Sequence, residues 1–141
     1  MKPRTHVLSS VVLALVIYYF LESTATSLAV IISGVFIDLD HIYDFWISRP
    51  PKFLNINHFL TTEKYMRQIN QKAYVFLHAY ELLLLLWLAT VYSKWHPVLL
   101  GISAGFSLHL VLDDIGNHLK TLSYFLIFRA YKKFDVFRDK G

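Results

Sequence analysis

Residues 73–93 read AYVFLHAYELLLLLWLATVYS, 21 positions with a single charge, Glu81. From Leu82 to Leu88 the stretch is apolar on every side, so a helix built from it has no polar face to offer water. A membrane-crossing helix needs about 20 mostly apolar residues, with a range of about 17–25. Working outward, three more stretches share this character. Thr5–Leu21, Ser23–Ile37 and Trp95–Leu112 carry no charged residue in 17, 15 and 18 positions.

Composition agrees. Of 141 residues, 55% are hydrophobic and 17% charged, against about 25% charged in an ordinary soluble domain. Mean hydropathy is +0.43. These values exclude a disordered chain, a collagen-like repeat and an acidic tail, and the length suits one domain, 1–141. Cysteine is absent, which removes disulfides, thiolate zinc sites and cysteine nucleophiles together. The net charge of +4 is not gathered on one helix or arm, so nucleic acid is not expected as a partner.

The expected fold class is all-α: an integral membrane bundle of four transmembrane helices at about 5–21, 24–46, 73–93 and 97–119. Pro50-Pro51 blocks continuation after the second, and Pro97 suits the first turn of the fourth. Residues 52–72 are polar and read as a cytoplasmic loop with a short helix. A soluble helical bundle is the alternative, but its helices would keep polar outer faces. The first helix also has the basic and apolar regions of a signal peptide. No small-x-small cleavage site follows it, so it reads as retained.

With four spans, the N-terminus, the 47–72 loop and the tail share one side. That side holds 13 of the 14 Lys and Arg residues, all but Lys94. The positive-inside bias makes both termini cytoplasmic, in the cell (inner) membrane. In the tail, 121–141, Leu122, Phe125 and Leu126 recur at helical spacing beside Arg129, Lys132 and Lys133. This suggests an interfacial helix held by anionic lipid, with a plain basic tail as the alternative.

Ionisable residues near membrane depth are costly and need a partner or a role. His6 opens helix 1. Asp38, Asp40, His41 and Asp44 close helix 2. His78 and Glu81 open helix 3. His109, Asp113, Asp114 and His118 close helix 4. In the four-span topology all of these lie at the cytoplasmic face. Asp38/His41, His78/Glu81 and His109/Asp113 are three or four apart, so each pair points from one side of its helix. Facing helices that present His and carboxylate pairs build metal sites. Without thiolate, the donors suit Zn, or Mn or Fe. The expected ligands are His6, Asp38, Asp40, His41, His78, Glu81, His109 and Asp113, around one to three ions. Glu81 and Asp40 are the candidates for catalytic roles, with Glu81 either a ligand or the general base. Asp44, Asp114 and His118 are placed to support the ligands from behind. His58 and His96 read as surface residues.

Thr5-His6, then Asp38-Leu39-Asp40-His41 closing the second helix, a His opening the third, and His109-Leu110-Val111-Leu112-Asp113 closing the last form a recognisable order. Over residues 5–118 this resembles the YdjM-type family of membrane-bound metal-dependent hydrolases, distantly similar to zinc-dependent phospholipase C. His118, five residues after Asp113, is close to the relatives' ligand pattern. Where the family has a His-Arg-Gly stretch leading into Thr-His-Ser, this chain has Phe76-Leu77-His78-Ala79-Tyr80-Glu81. The resemblance implies hydrolysis of a phosphoester, and the depth of the site points to a phospholipid-like substrate among membrane lipids. The alternatives are metal-ion or proton binding or transport, a bis-His haem protein, and a structural subunit. The polar residues stop at one face, which disfavours a path across the membrane.

Overall fold

The computed structural model describes residues 3–41, 74–116 and 121–135. Five α-helices follow one another there: α1 (Pro3–Leu21), α2 (Thr24–Phe36), α3 (Tyr80–Tyr92), α4 (Pro97–Gly116) and α5 (Leu126–Tyr131). Short 3-10 turns occupy Ile37–Leu39 and Thr121–Tyr124. Among the described residues no β-strand occurs, so the fold is all-α.

Local chemistry sets these boundaries. Pro3 and Pro97 stand at the first positions of α1 and α4, where the missing N–H costs nothing. Ser23, in extended conformation, caps α2 by accepting from the Thr26 N–H at 3.3 Å. Between α1 and α2, Glu22 takes a left-handed φ of 48°, which reverses the chain in two residues.

By length and composition two helices suffice to cross a membrane, α1 with 19 residues and α4 with 20. The other two apolar helices are shorter, Thr24–Leu39 and Tyr80–Tyr92 among the described residues, and residues 42–46 of the second expected span lie outside those. α3 has 13 residues, about 20 Å at the helical rise of about 1.5 Å per residue. It begins at Tyr80 and not near residue 73, because residues 74–79 form a turn and Ala79 is extended (φ −132°, ψ 126°). Side chains distant in sequence take up the backbone groups of that turn. α2 keeps α geometry to Phe36 and then tightens to a 3-10 turn at Asp38. The loop helix expected within 52–72 lies outside the described residues.

Small residues bring α2 against α4. A methyl group added at Gly101 would overlap the Thr26 carbonyl, and one at Gly105 would overlap Ser33 Oγ and the Val30 carbonyl. Backbones this close are the packing mode of helices that lack a water-driven hydrophobic force between them. α3 joins α4 through hydroxyls and an indole. Thr90 and Ser103 share a buried 2.8 Å hydrogen bond, and Trp87 Nε1–H donates to Ser107 Oγ at 3.0 Å. Leu8, Val12, Leu15 and Tyr19 form an exposed apolar stripe along α1, and Leu84, Leu85 and Leu88 are exposed on α3. Contiguous exposed apolar surface of this kind marks a lipid-facing or partner-facing side.

The buried hydrophobic cluster is Ile37, Phe106, Leu110 and Tyr124, with Tyr80, Leu82, Leu83 and Leu86 packed around it. Tyr124 belongs to the segment after α4. That segment is therefore part of the fold and not a loose tail.

Candidate metal centre

Four elements deliver ionisable side chains to one end of the bundle. They are the start of α1, the 3-10 turn after α2, the turn before α3 and the last two turns of α4. Asp38, His78, His109 and Asp113 each offer one ligand atom, and these four atoms lie within 4.8 Å of one another. His78, His109 and Asp113 are buried, while the Asp38 side chain is 22% exposed. The cluster thus has one open side, at Asp38.

Each histidine is oriented by its second nitrogen. His109 Nδ1 lies 2.7 Å from the Gly34 carbonyl oxygen. A carbonyl only accepts, so Nδ1 carries the hydrogen and Nε2 faces the cluster. His78 Nδ1 lies 3.1 Å and 3.2 Å from the two oxygens of Asp40, which assigns its hydrogen the same way. Asp40 is held in turn by the Leu77 N–H at 2.8 Å. The two Nε2 atoms then meet at 3.2 Å. His109 Nε2 is 3.3 Å from Asp38 Oδ1, and His78 Nε2 is 3.3 Å from Asp113 Oδ2.

Two imidazole lone pairs and two carboxylates facing one point repel one another unless a cation or a proton sits among them. In the ion-free protein the carboxylates of Asp38, Asp40 and Asp113 lie within 3.6 Å of the His78 ring nitrogens. A divalent ion satisfies the same set with no extra proton. The nitrogen and oxygen donors without thiolate fit Zn, Mn or Fe.

Of the residues expected from the sequence, His6 does not join the four. Its Nε2 is 3.1 Å from Asp113 Oδ1 and its ring stacks on His109 at 3.9 Å. His6 thereby fixes Asp113 with Oδ2 turned to the cluster. Asp40 and His41 form a second potential group with His78, and His41 Nε2 lies 3.7 Å from Asp38 Oδ1 at the open side. Glu81 is placed elsewhere. Its two oxygens accept from the Leu126 and Ile127 N–H groups at 2.9 Å and 3.0 Å, joining α3 to the start of α5. The expected ligand or base at Glu81 is a docking contact, because His78 precedes the helix and the three-residue spacing no longer puts the pair on one face. Asp114 accepts from the Tyr80 hydroxyl. Asp44 and His118 lie outside the described residues.

Two contributors carry no signal that the sequence pattern could show. The Gly34 carbonyl has no side chain to mark it. Arg129, expected at a lipid surface, is 1% exposed and donates to the carbonyls of Val75 and His78 at 2.8 Å and 2.9 Å. Comparison of the chain with family models, curated proteins and solved structures finds no match.

Proposed function

We propose that the protein is a membrane-embedded metal-dependent hydrolase acting on phosphoesters at the depth of lipid headgroups. The observation that carries this reading is the convergence of Asp38, His78, His109 and Asp113, from three separate segments of the chain, with both imidazoles held Nε2-inward. The order of Thr5-His6, Asp38–His41 and His109…Asp113, which resembles the YdjM-type hydrolases, supports the same class.

The four residues would hold one ion. A neutral imidazole has a single lone pair, and that of His78 is turned to the Asp38–His109–Asp113 side. Asp40 is then the carboxylate that orients His78 and not a ligand of a second ion. When bound, a divalent ion supplies Lewis acidity and a water whose pKa falls to near 7. The chain itself does the rest. Asp38 marks the open side where a substrate enters. His41, 37% exposed there, is the group placed to take or give a proton. His6 and Asp40 keep Asp113 and His78 from turning away.

In this reading four apolar helices cross the membrane, α1 and α4 fully and α2 and α3 with the help of flanking turns. Basic residues hold the metal end at the cytoplasmic side, and anionic lipid meets the basic tail. The test is the metal content and phosphodiesterase activity of the purified protein on bis-p-nitrophenyl phosphate, beside His109→Ala and Asp38→Ala. Loss of both in the variants is expected. Equal activity in all three proteins contradicts the enzyme reading.

A further inference from the structure

We propose that Arg129 is a positioning residue for the metal centre: from the short C-terminal helix α5 it grips the backbone turn that carries His78 and so sets where His78 Nε2 points. The proposal rests on the metal reading and deepens it.

The turn runs from Val75 to His78 and closes with the His78 N–H donating to the Val75 carbonyl at 3.1 Å. Arg129 Nη1 donates to the Val75 carbonyl and Nη2 to that of His78, at 2.8 Å and 2.9 Å. One planar guanidinium thus bridges the first and last residues of the turn. Arginine suits this because its donors are fixed in a rigid fork, whereas a lysine ammonium is a point charge on a flexible stem. The other side of the turn is held by Asp40, which takes the Leu77 N–H and the His78 ring. His78 is therefore clamped between a carboxylate at its ring and a guanidinium at its backbone carbonyl.

α5 is itself anchored. Glu81 of α3 accepts from the first two N–H groups of α5, at Leu126 and Ile127. Tyr124 is buried in the core and Phe125 packs on Tyr80 at 5.3 Å. Beyond α5, the Phe134 ring lies tilted against Tyr74 at 4.8 Å. These contacts close a ring from His78 through Glu81, α5 and Arg129 back to His78. A buried arginine is expensive to desolvate. Two of its donors are committed to carbonyls of the ligand-bearing turn, and its charge also acts on the Glu81 carboxylate that caps α5.

The experiment measures Co(II) affinity and the visible ligand-field spectrum of the full-length protein in detergent. It uses wild type, Arg129→Ala, Arg129→Lys, His78→Ala and the double variant Arg129→Ala/His78→Ala. Arg129→Ala is expected to weaken Co(II) binding about ten- to a hundredfold and to alter the spectrum, since groups that orient a ligand act on this scale. Arg129→Lys should recover part of the loss. In the His78→Ala background, Arg129→Ala should cost nothing further, because its effect runs through His78. Wild-type affinity and spectrum in Arg129→Ala overturn the proposal, as does a loss that adds fully to that of His78→Ala. If Arg129→Ala does not fold, Arg129→Lys, whose ammonium cannot reproduce the two-carbonyl fork, decides in the same way, and wild-type Co(II) binding and spectrum there overturn it. A wild-type protein that takes up no Co(II) removes the metal reading as well, an outcome distinct from the others.

Discussion

His109 and Gly34 stand on different helices, and the His109 Nδ1–H donates to the Gly34 carbonyl at 2.7 Å. That bond needs α2 and α4 in close contact, and the contact exists because Gly101 and Gly105 of α4 have no side chain to hold them apart. Helix packing and ligand orientation are thus one arrangement. Gly105→Ala should destabilise the protein by about 1–3 kcal/mol, the usual range for forcing an added methyl into a packed interface. It should also weaken metal binding, because α4 carries His109 and Asp113. Thermal unfolding in detergent, with and without Zn, measures both. An unchanged midpoint in both conditions contradicts the packing account.

His6 and His109 should differ in the size of their effects. His109→Ala removes a ligand, whereas His6→Ala removes the hydrogen bond that aims Asp113. Metal affinity should fall about ten- to a hundredfold in His6→Ala and further in His109→Ala, by competition with a chelator of known strength. Equal losses would place His6 among the ligands.

Metal binding should strengthen as pH rises. An imidazole binds an ion only when neutral, and the His78 ring sits among the carboxylates of Asp38, Asp40 and Asp113. The ion therefore displaces any proton held in this group, and its affinity rises with pH. The Zn-induced rise in unfolding midpoint should therefore grow from pH 6 to pH 9. A rise independent of pH would show that His78 does not exchange a proton for the ion.

Much of the centre is legible in the sequence, for reasons that also mark the limits. His109 and Asp113 are four apart inside a true helix, so the 3.6-residue period places them correctly on one face. Asp38 is readable because a carboxylate directly after an apolar run is costly unless something partners it. His78 and Glu81 have a similar spacing, yet the period does not apply, since the chain is a turn at His78 and helical only from Tyr80. That break is made by Asp40 and Arg129, distant in sequence, and no local pattern announces it. Arg129 beside Leu126 and Phe125 looks like a lipid anchor by composition. Its burial follows from tertiary docking of α5, which periodicity alone does not encode.

The four-span arrangement has its own test. With no native cysteine, single cysteines placed at Lys94 and in the C-terminal tail report sidedness without background. A membrane-impermeant maleimide should label Lys94→Cys from outside intact cells and the tail cysteine only after permeabilisation. Labelling of both from one side contradicts a bundle with four crossings.

The central claim, one ion held by Asp38, His78, His109 and Asp113, is tested most directly by Zn-edge X-ray absorption on the purified, Zn-loaded protein. The expected result is one tightly held ion with nitrogen and oxygen neighbours alone, two of them imidazoles at about 2.0–2.1 Å, and no retained zinc in a His109→Ala/Asp113→Ala variant. Zinc lost on simple dialysis, or kept with an unchanged spectrum in that variant, would contradict the account.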